Sequence, residues 1–172
     1  MKRLLKFFEN LGLQYKFILI TTIAIILLMS IIGYMAVERE RTLLYAEIER
    51  QGKLLAETLA IPIINDLIYE RLGLVEEGGL IDNYVMETYN RQDIDLVYIA
   101  ILDEEGKVIS HNDLTEYGKI YNDPLTQNLL MAETTLLEHS FNTAINHNIL
   151  DVGTPLSIGK KRWGTLRFAI SL

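Results

Sequence analysis

The chain has 172 residues, no cysteine and a formal net charge of −7, with 23 Asp and Glu against 16 Lys and Arg. Without cysteine it holds no disulfide, no Cys-ligated zinc, no iron–sulfur cluster and no covalently attached haem. Its acidity argues against nucleic acid as a partner, and its length allows one folded domain beside an anchor.

Residues 1–16 form a basic tail, with Lys2, Arg3, Lys6 and Lys16 against Glu9. Phe17 to Val37, FILITTIAIILLMSIIGYMAV, follows without one charged side chain. As a helix rising about 1.5 Å per residue, this stretch matches a hydrocarbon core of about 30 Å. It is longer than the apolar region of a cleaved signal peptide and exits directly into Glu38-Arg39-Glu40-Arg41, so it is expected to stay as a transmembrane anchor. A short basic tail before the span favours an inside amino terminus in the inner membrane, with residues 38–172 outside.

Glu38 to Leu72 is charged and periodic. Leu44, Ile48, Leu55, Leu59 and Ile63 recur at helical spacing, which predicts the membrane helix continuing outward as one rod, with Pro62 kinking it. The upper part of that apolar face, with Leu44, Ile48 and Leu55, is the expected seam of a parallel homodimer. Gly73 and Gly78-Gly79 end the helical region, and a short helix is predicted at Leu80 to Tyr89.

The period then changes. Asp95 to Leu102, DLVYIAIL, and Lys107 to His111 read as two strands of a hairpin, with Gly106 closing the turn, and the unbroken apolar run marks a strand covered on both faces. Leu114 to Asp123 is a connecting loop, and Pro124 opens a helix to about Glu133. Strands follow at Thr134 to Phe141, Ile149 to Ile158 and Trp163 to Leu172. In the last, Leu166, Phe168 and Ile170 alternate with Thr165, Arg167 and Ala169, as for one core face and one wet or lightly covered face. The fold class is therefore α+β, a long helix packed on a five-stranded antiparallel sheet (95–172).

No phosphate loop, GxGxxG, HExxH or G-x-S-x-G is present, and His111, His139 and His147 lack the spacing of a helical metal site. Ser110 and His111 are strand neighbours that point to opposite faces, so they form no direct dyad. No catalysis, metal or cofactor is expected of this chain. His139, between Leu137 and Phe141, reads as a core histidine.

The stretches LAETLAIPIINDL, VYIAILDEEGKVISHND followed by EYGKIYNDP, and VGTPLSIGKKRWGTLRFAIS, in that order behind a membrane helix, resemble the extracytoplasmic Cache family. These are PAS-like sensor domains of bacterial histidine kinases, chemoreceptors and cyclic-dinucleotide enzymes. The resemblance covers about Arg41 to Leu172. It implies a small-molecule sensor of a transmembrane receptor, whose second membrane helix, HAMP linker and output domain would lie beyond Leu172.

In the family the end of the second hairpin strand borders the ligand, which makes Ser110, His111 and Asp113 candidate binding residues. His111 could pair with a carboxylate ligand. Citrate-sensing relatives carry an arginine three residues before the matching histidine, where this chain has Val108. Tyr98, Tyr117, Tyr121 and Asp151 are further candidates, on strands or on the loop that could close a pocket. The competing reading is a ligand-free, membrane-anchored interaction domain that docks on another envelope protein. A polar-lined cavity near His111 separates the two readings.

Overall fold

The computed structural model describes residues 12–75, 79–92, 94–143 and 145–172. The basic tail as far as residue 11 and Gly78 lie outside the described residues. The chain divides into two compact units, Met1–Ala46 and Glu47–Leu172.

The first helix, α1 (Leu13–Arg71), carries the apolar stretch in the first unit. It is long and apolar enough to cross a membrane, and none of its most apolar window is buried within the chain. The hydroxyls of this stretch bond its own backbone, as a hydrocarbon surrounding would require. Thr21 donates to the Phe17 carbonyl at 2.9 Å, Thr22 to Ile18 at 2.8 Å and Ser30 to Ile26 at 2.8 Å.

The second unit joins the remainder of α1 to α2 (Gly79–Tyr89), β1 (Leu96–Leu102), β2 (Val108–His111), α3 (Pro124–Met131), β3 (Leu136–Asn142), β4 (His147–Ile158) and β5 (Lys161–Ser171). The five strands form one sheet of order β2-β1-β5-β4-β3, each neighbouring pair antiparallel. This is the predicted class, and β1 lies between two strands as its unbroken apolar run requires.

Helix α1 packs on one face of the sheet because its periodic residues meet the alternating residues of three strands. Leu55, Ala56, Ile63, Ile64 and Leu67 join Ile81 and Val85 of α2 over Ile99, Ile101, Leu150, Val152, Leu166 and Phe168. Close approach is set by Gly52, where an added Cβ would meet Val152 at 3.1 Å and Ile170 at 3.4 Å. Pro62 sits inside α1 without ending it. The helix stops where the Gly73 amide bonds the Glu70 carbonyl and the Leu74 amide bonds that of Tyr69, each at 2.9 Å, a pattern that needs the left-handed backbone of Gly73 (φ 69°). Of the expected dimer residues, Leu55 is buried in this core, Ile48 packs against it, and Leu44 is 58% exposed.

The β1–β2 turn closes through Asp103, whose Oδ1 accepts from the amides of Glu105 at 2.8 Å and Lys107 at 2.9 Å, with Gly106 at φ 86°. Helix α3 starts at Pro124 behind Asp123, whose carboxylate accepts from the Thr126 amide at 3.2 Å.

One expectation is narrowed and one is corrected. Of the two alternatives for the second face of β5, wet or covered, the structure has the covered one: Thr165, Arg167 and Ala169 are buried like their neighbours, and α3 packs on that side, with Leu129 against Gly153. His139 is not a core residue. It is exposed on β3, an edge strand, where its Nε2 lies 2.7 Å from Glu49 Oε1 of α1.

Candidate functional site

On the sheet face turned away from α1, the pattern of small residues decides what fits. Arg167 of β5 has Ala100 of β1 on one side and Gly153 of β4 on the other, and Ala169 lies between Tyr98 and Asp151. With only Cβ atoms or none beside it, the Arg167 side chain has room to lie over the sheet. The Tyr98 phenol reaches across Ala169 and donates to Asp151, 2.8 Å from Oδ1 and 2.7 Å from Oδ2.

Arg167 is the hub. Its Nε donates to Asp151 Oδ1 at 3.0 Å and its Nη2 to Oδ2 at 2.9 Å, the two-pronged geometry a guanidinium makes with a carboxylate. Its Nη1 donates to Asp123 Oδ2 at 2.8 Å and to the Thr126 hydroxyl at 2.7 Å. At 9% exposure Arg167 is a buried charge, and such a charge is tolerated when carboxylates surround it. Burial disfavours its cation, but the bonds to Asp151 and Asp123 outweigh that and hold the guanidinium firmly protonated. Burial likewise works against the Asp123 carboxylate; the bonds from Thr126 and Arg167 prevail and keep it below the usual range.

A cavity of about 730 Å³ opens above this network. Its floor is Tyr98, Asp151 and Arg167, and its walls include Tyr89 and Ile149. Strand β2 ends in His111, and the loop after it supplies Asn112, Asp113 and Glu116, with Tyr121 and Asp123 following. The loop is tied down by its own side chains. Asn112 Oδ1 accepts from the Ile99 amide at 2.9 Å, Asp113 Oδ1 from the Thr115 amide at 2.9 Å, and Glu116 Oε2 from the Tyr121 hydroxyl at 3.0 Å.

His111 is 8% exposed, and its ring stacks on Tyr98 with centroids 6.0 Å apart and planes 7° from parallel. The Asp113 amide donates to Nδ1 at 2.8 Å, so the neutral ring carries its proton on Nε2. Burial pushes the imidazole below its ordinary value, against the pull of the Glu116 and Asp113 carboxylates. Burial pushes the Tyr98 phenol well up, and the neighbouring Asp151 adds to this; Tyr121 rises through burial and Glu116. The Lys119 ammonium holds Glu116 below the usual carboxylate range, and the Thr115 amide does so for Asp113.

The structure thus brings Tyr98, His111, Asp113, Tyr121 and Asp151 to one cavity. Ser110 and Tyr117 are not among the cavity's residues. Ser110 points to the other side of β2, fully buried, and donates to Asp82 of α2 at 2.5 Å, while Tyr117 is 55% exposed. Arg167, Asp123 and Glu116 escaped the sequence reading. A signal existed for Arg167: a lone arginine inside an apolar strand, with Ala100 and Gly153 available as small neighbours. Among the described residues, no group of acidic and histidine side chains is arranged to hold a metal ion.

An antiparallel sheet of this order, backed by a long helix on one face and holding a polar cavity under a loop on the other, defines a PAS-like sensory fold. The chain belongs to the single Cache domain 3 family, whose model matches residues 39–168. Cache domains are extracytoplasmic sensors of membrane receptors, and those of histidine kinases and chemoreceptors bind small ligands.

Among solved structures, the ligand-binding domain of the Campylobacter jejuni chemoreceptor Tlp3, in complex with 4-methylisoleucine, superposes with a TM-score of 0.52 at 12% identity, over 73% of this chain and 52% of that one. The sensor domain of E. coli DcuS gives 0.45 at 18% identity, over 71% of this chain and 91% of that one. The V. cholerae histidine kinase DctB sensor domain gives 0.42 at 11% identity, over 70% and 54%. The chain spans about half the length of the Tlp3 and DctB chains it matches. No curated protein matches the sequence.

Proposed function

We propose that this chain is the extracytoplasmic input module of a bacterial transmembrane receptor and that it binds a small molecule in the cavity above Arg167. Residues 1–16 lie in the cytoplasm, 17–37 cross the inner membrane, and 38–172 sense outside. Its signal is read by an output domain of histidine kinase, chemoreceptor or cyclase type. The observation that carries the reading is the cavity itself: about 730 Å³, within the range of small-molecule sites, lined by polar and aromatic groups from all five strands, from helix α2 and from the segment between β2 and α3. A ligand-free docking domain would fill this space with side chains. That the Tlp3 domain holds an amino-acid-like ligand supports the reading by fold.

Tyr98, His111, Asp113 and Asp151 are the proposed binding residues, joined by Tyr121 and Glu116. The chain works as a parallel homodimer along 38–59, with the seam at Leu44 and Ile48 because Leu55 is taken up by its own core. Ligand must favour one of two arrangements of helix and last strand; a difference of about 1.4 kcal/mol changes their ratio tenfold.

The test is a thermal-shift screen of the full chain in detergent against amino acids, carboxylates, amines and purines. A ligand at a hundred times its Kd stabilises by about 2.7 kcal/mol. A shift that disappears in His111→Ala supports the proposal. Shifts that survive this variant place binding elsewhere, and a panel with no shift favours the docking domain.

A further inference from the structure

The cavity's charge is not what a carboxylate receptor needs. Four carboxylates line it, Asp113, Glu116, Asp123 and Asp151, against one guanidinium, that of Arg167. Counting Lys119, which bonds Glu116 at 2.7 Å, still leaves an excess of two negative charges. His111 adds none while neutral.

The cation on the floor is also already engaged. A guanidinium has five N–H groups. Arg167 makes four hydrogen bonds within the chain, two to Asp151, one to Asp123 and one to Thr126. An incoming carboxylate would have to displace one of two resident carboxylates from a buried ion pair while meeting the field of the others. A cation meets the opposite situation. Acceptor oxygens of Asp113 and Glu116 lie on the loop, and the rings of Tyr89, Tyr98 and Tyr121 line the same space. Aromatic faces attract cations, and this site already does so internally: the Arg167 guanidinium lies 5.7 Å from the Tyr98 ring centre and 5.9 Å from that of Tyr121.

We infer that the cavity selects an organic cation carrying a primary ammonium group, held by Glu116 and Asp113 over the tyrosine rings, and rejects dicarboxylates. This rests on the reading of the cavity as the ligand site.

The experiment uses three probes with one four-carbon skeleton and three charges: 1,4-diaminobutane, butane-1,4-diol and succinate. Each is titrated calorimetrically into the full chain in detergent micelles. The diamine should bind at least about tenfold tighter than the diol, as expected of a charge-assisted hydrogen bond, and succinate should give no binding heat. Glu116→Gln should weaken the diamine about tenfold, whereas Glu57→Gln, an exposed site on α1 away from the cavity, should leave it unchanged.

Equal loss in both variants means general attraction to an acidic surface and overturns the inference. Succinate binding that His111→Ala abolishes overturns the charge selection and leaves the cavity standing as a ligand site. Absence of binding by all three probes overturns the inference, and the wider panel then decides the fate of the cavity.

Discussion

The two faces of one sheet are built on opposite rules. Towards α1, the strands present Ile99, Ile101, Leu150, Val152, Leu166 and Phe168, and the helix packs there chiefly through apolar mass. Towards the loop and α3, the same strands present Tyr98, Ala100, Asp151, Gly153, Arg167 and Ala169, where small residues make room and a few polar groups fill it. The first face resists change through lost volume, the second through lost charge balance and lost space. A protein that must stay folded while its ligand comes and goes gains from keeping the two apart.

The largest effect is expected on the apolar face. Phe168→Ala removes the largest fully buried side chain and should cost about 3 to 5 kcal/mol in chemical denaturation of the full chain, followed by the single tryptophan, Trp163. A loss under about 1 kcal/mol would mean that this face is not the main source of stability.

On the other face, Asp151→Asn leaves Arg167 short of a partner. The cost should be about 3 kcal/mol, at the lower end for a broken buried pair, because Asp123 and Thr126 still hold Nη1. Ala169→Leu should cost about 1 to 3 kcal/mol by wedging a side chain between Tyr98 and Asp151, and should also abolish ligand binding. If it binds normally, the reach of Tyr98 over Ala169 does not matter to the site.

Acid should act on the loop-side face. His111 has a lowered pKa in the fold, so its contribution is complete above the ordinary imidazole value of 6.5 and is lost as pH falls through that value towards the folded one. Asp113, Glu116 and Asp123 also have lowered values, and their contributions fade at lower pH, below the usual carboxylate range. Stability should therefore fall in two stages on acidification, and His111→Gln should remove the first. The smallest effect belongs to the sheet's exposed edge. His139→Ala breaks a surface pair with Glu49 and should change stability by less than about 1 kcal/mol.

The apolar face was legible in sequence because its signal is periodicity. Leu55, Leu59 and Ile63 on the helix and Leu166, Phe168 and Ile170 on β5 announce their common side without knowledge of what they meet. The cavity was only half legible. His111, Asp113 and Tyr98 came from a local motif and its resemblance to the Cache family, whereas Arg167 reads as the polar half of an alternating strand until Asp123, distant in sequence, is seen beside it. Charge pairs between segments distant in sequence leave no periodic mark. His139 shows the converse: its apolar neighbours Leu137 and Phe141 suggest a core strand, but the strand lies at an edge and they remain exposed.

Binding of a small molecule on the loop-side face is what the two-faced sheet is proposed to serve. Its most direct test plugs the cavity without touching the charged network. Val97, on β1, lines the cavity, and Val97→Trp would fill part of it. The thermal-shift panel should then give one or more stabilising compounds with the native chain and none with the plugged chain, both chains melting cooperatively without ligand. The same shifts in both chains would contradict the account, because the cavity above Arg167 would then not be where ligand binds.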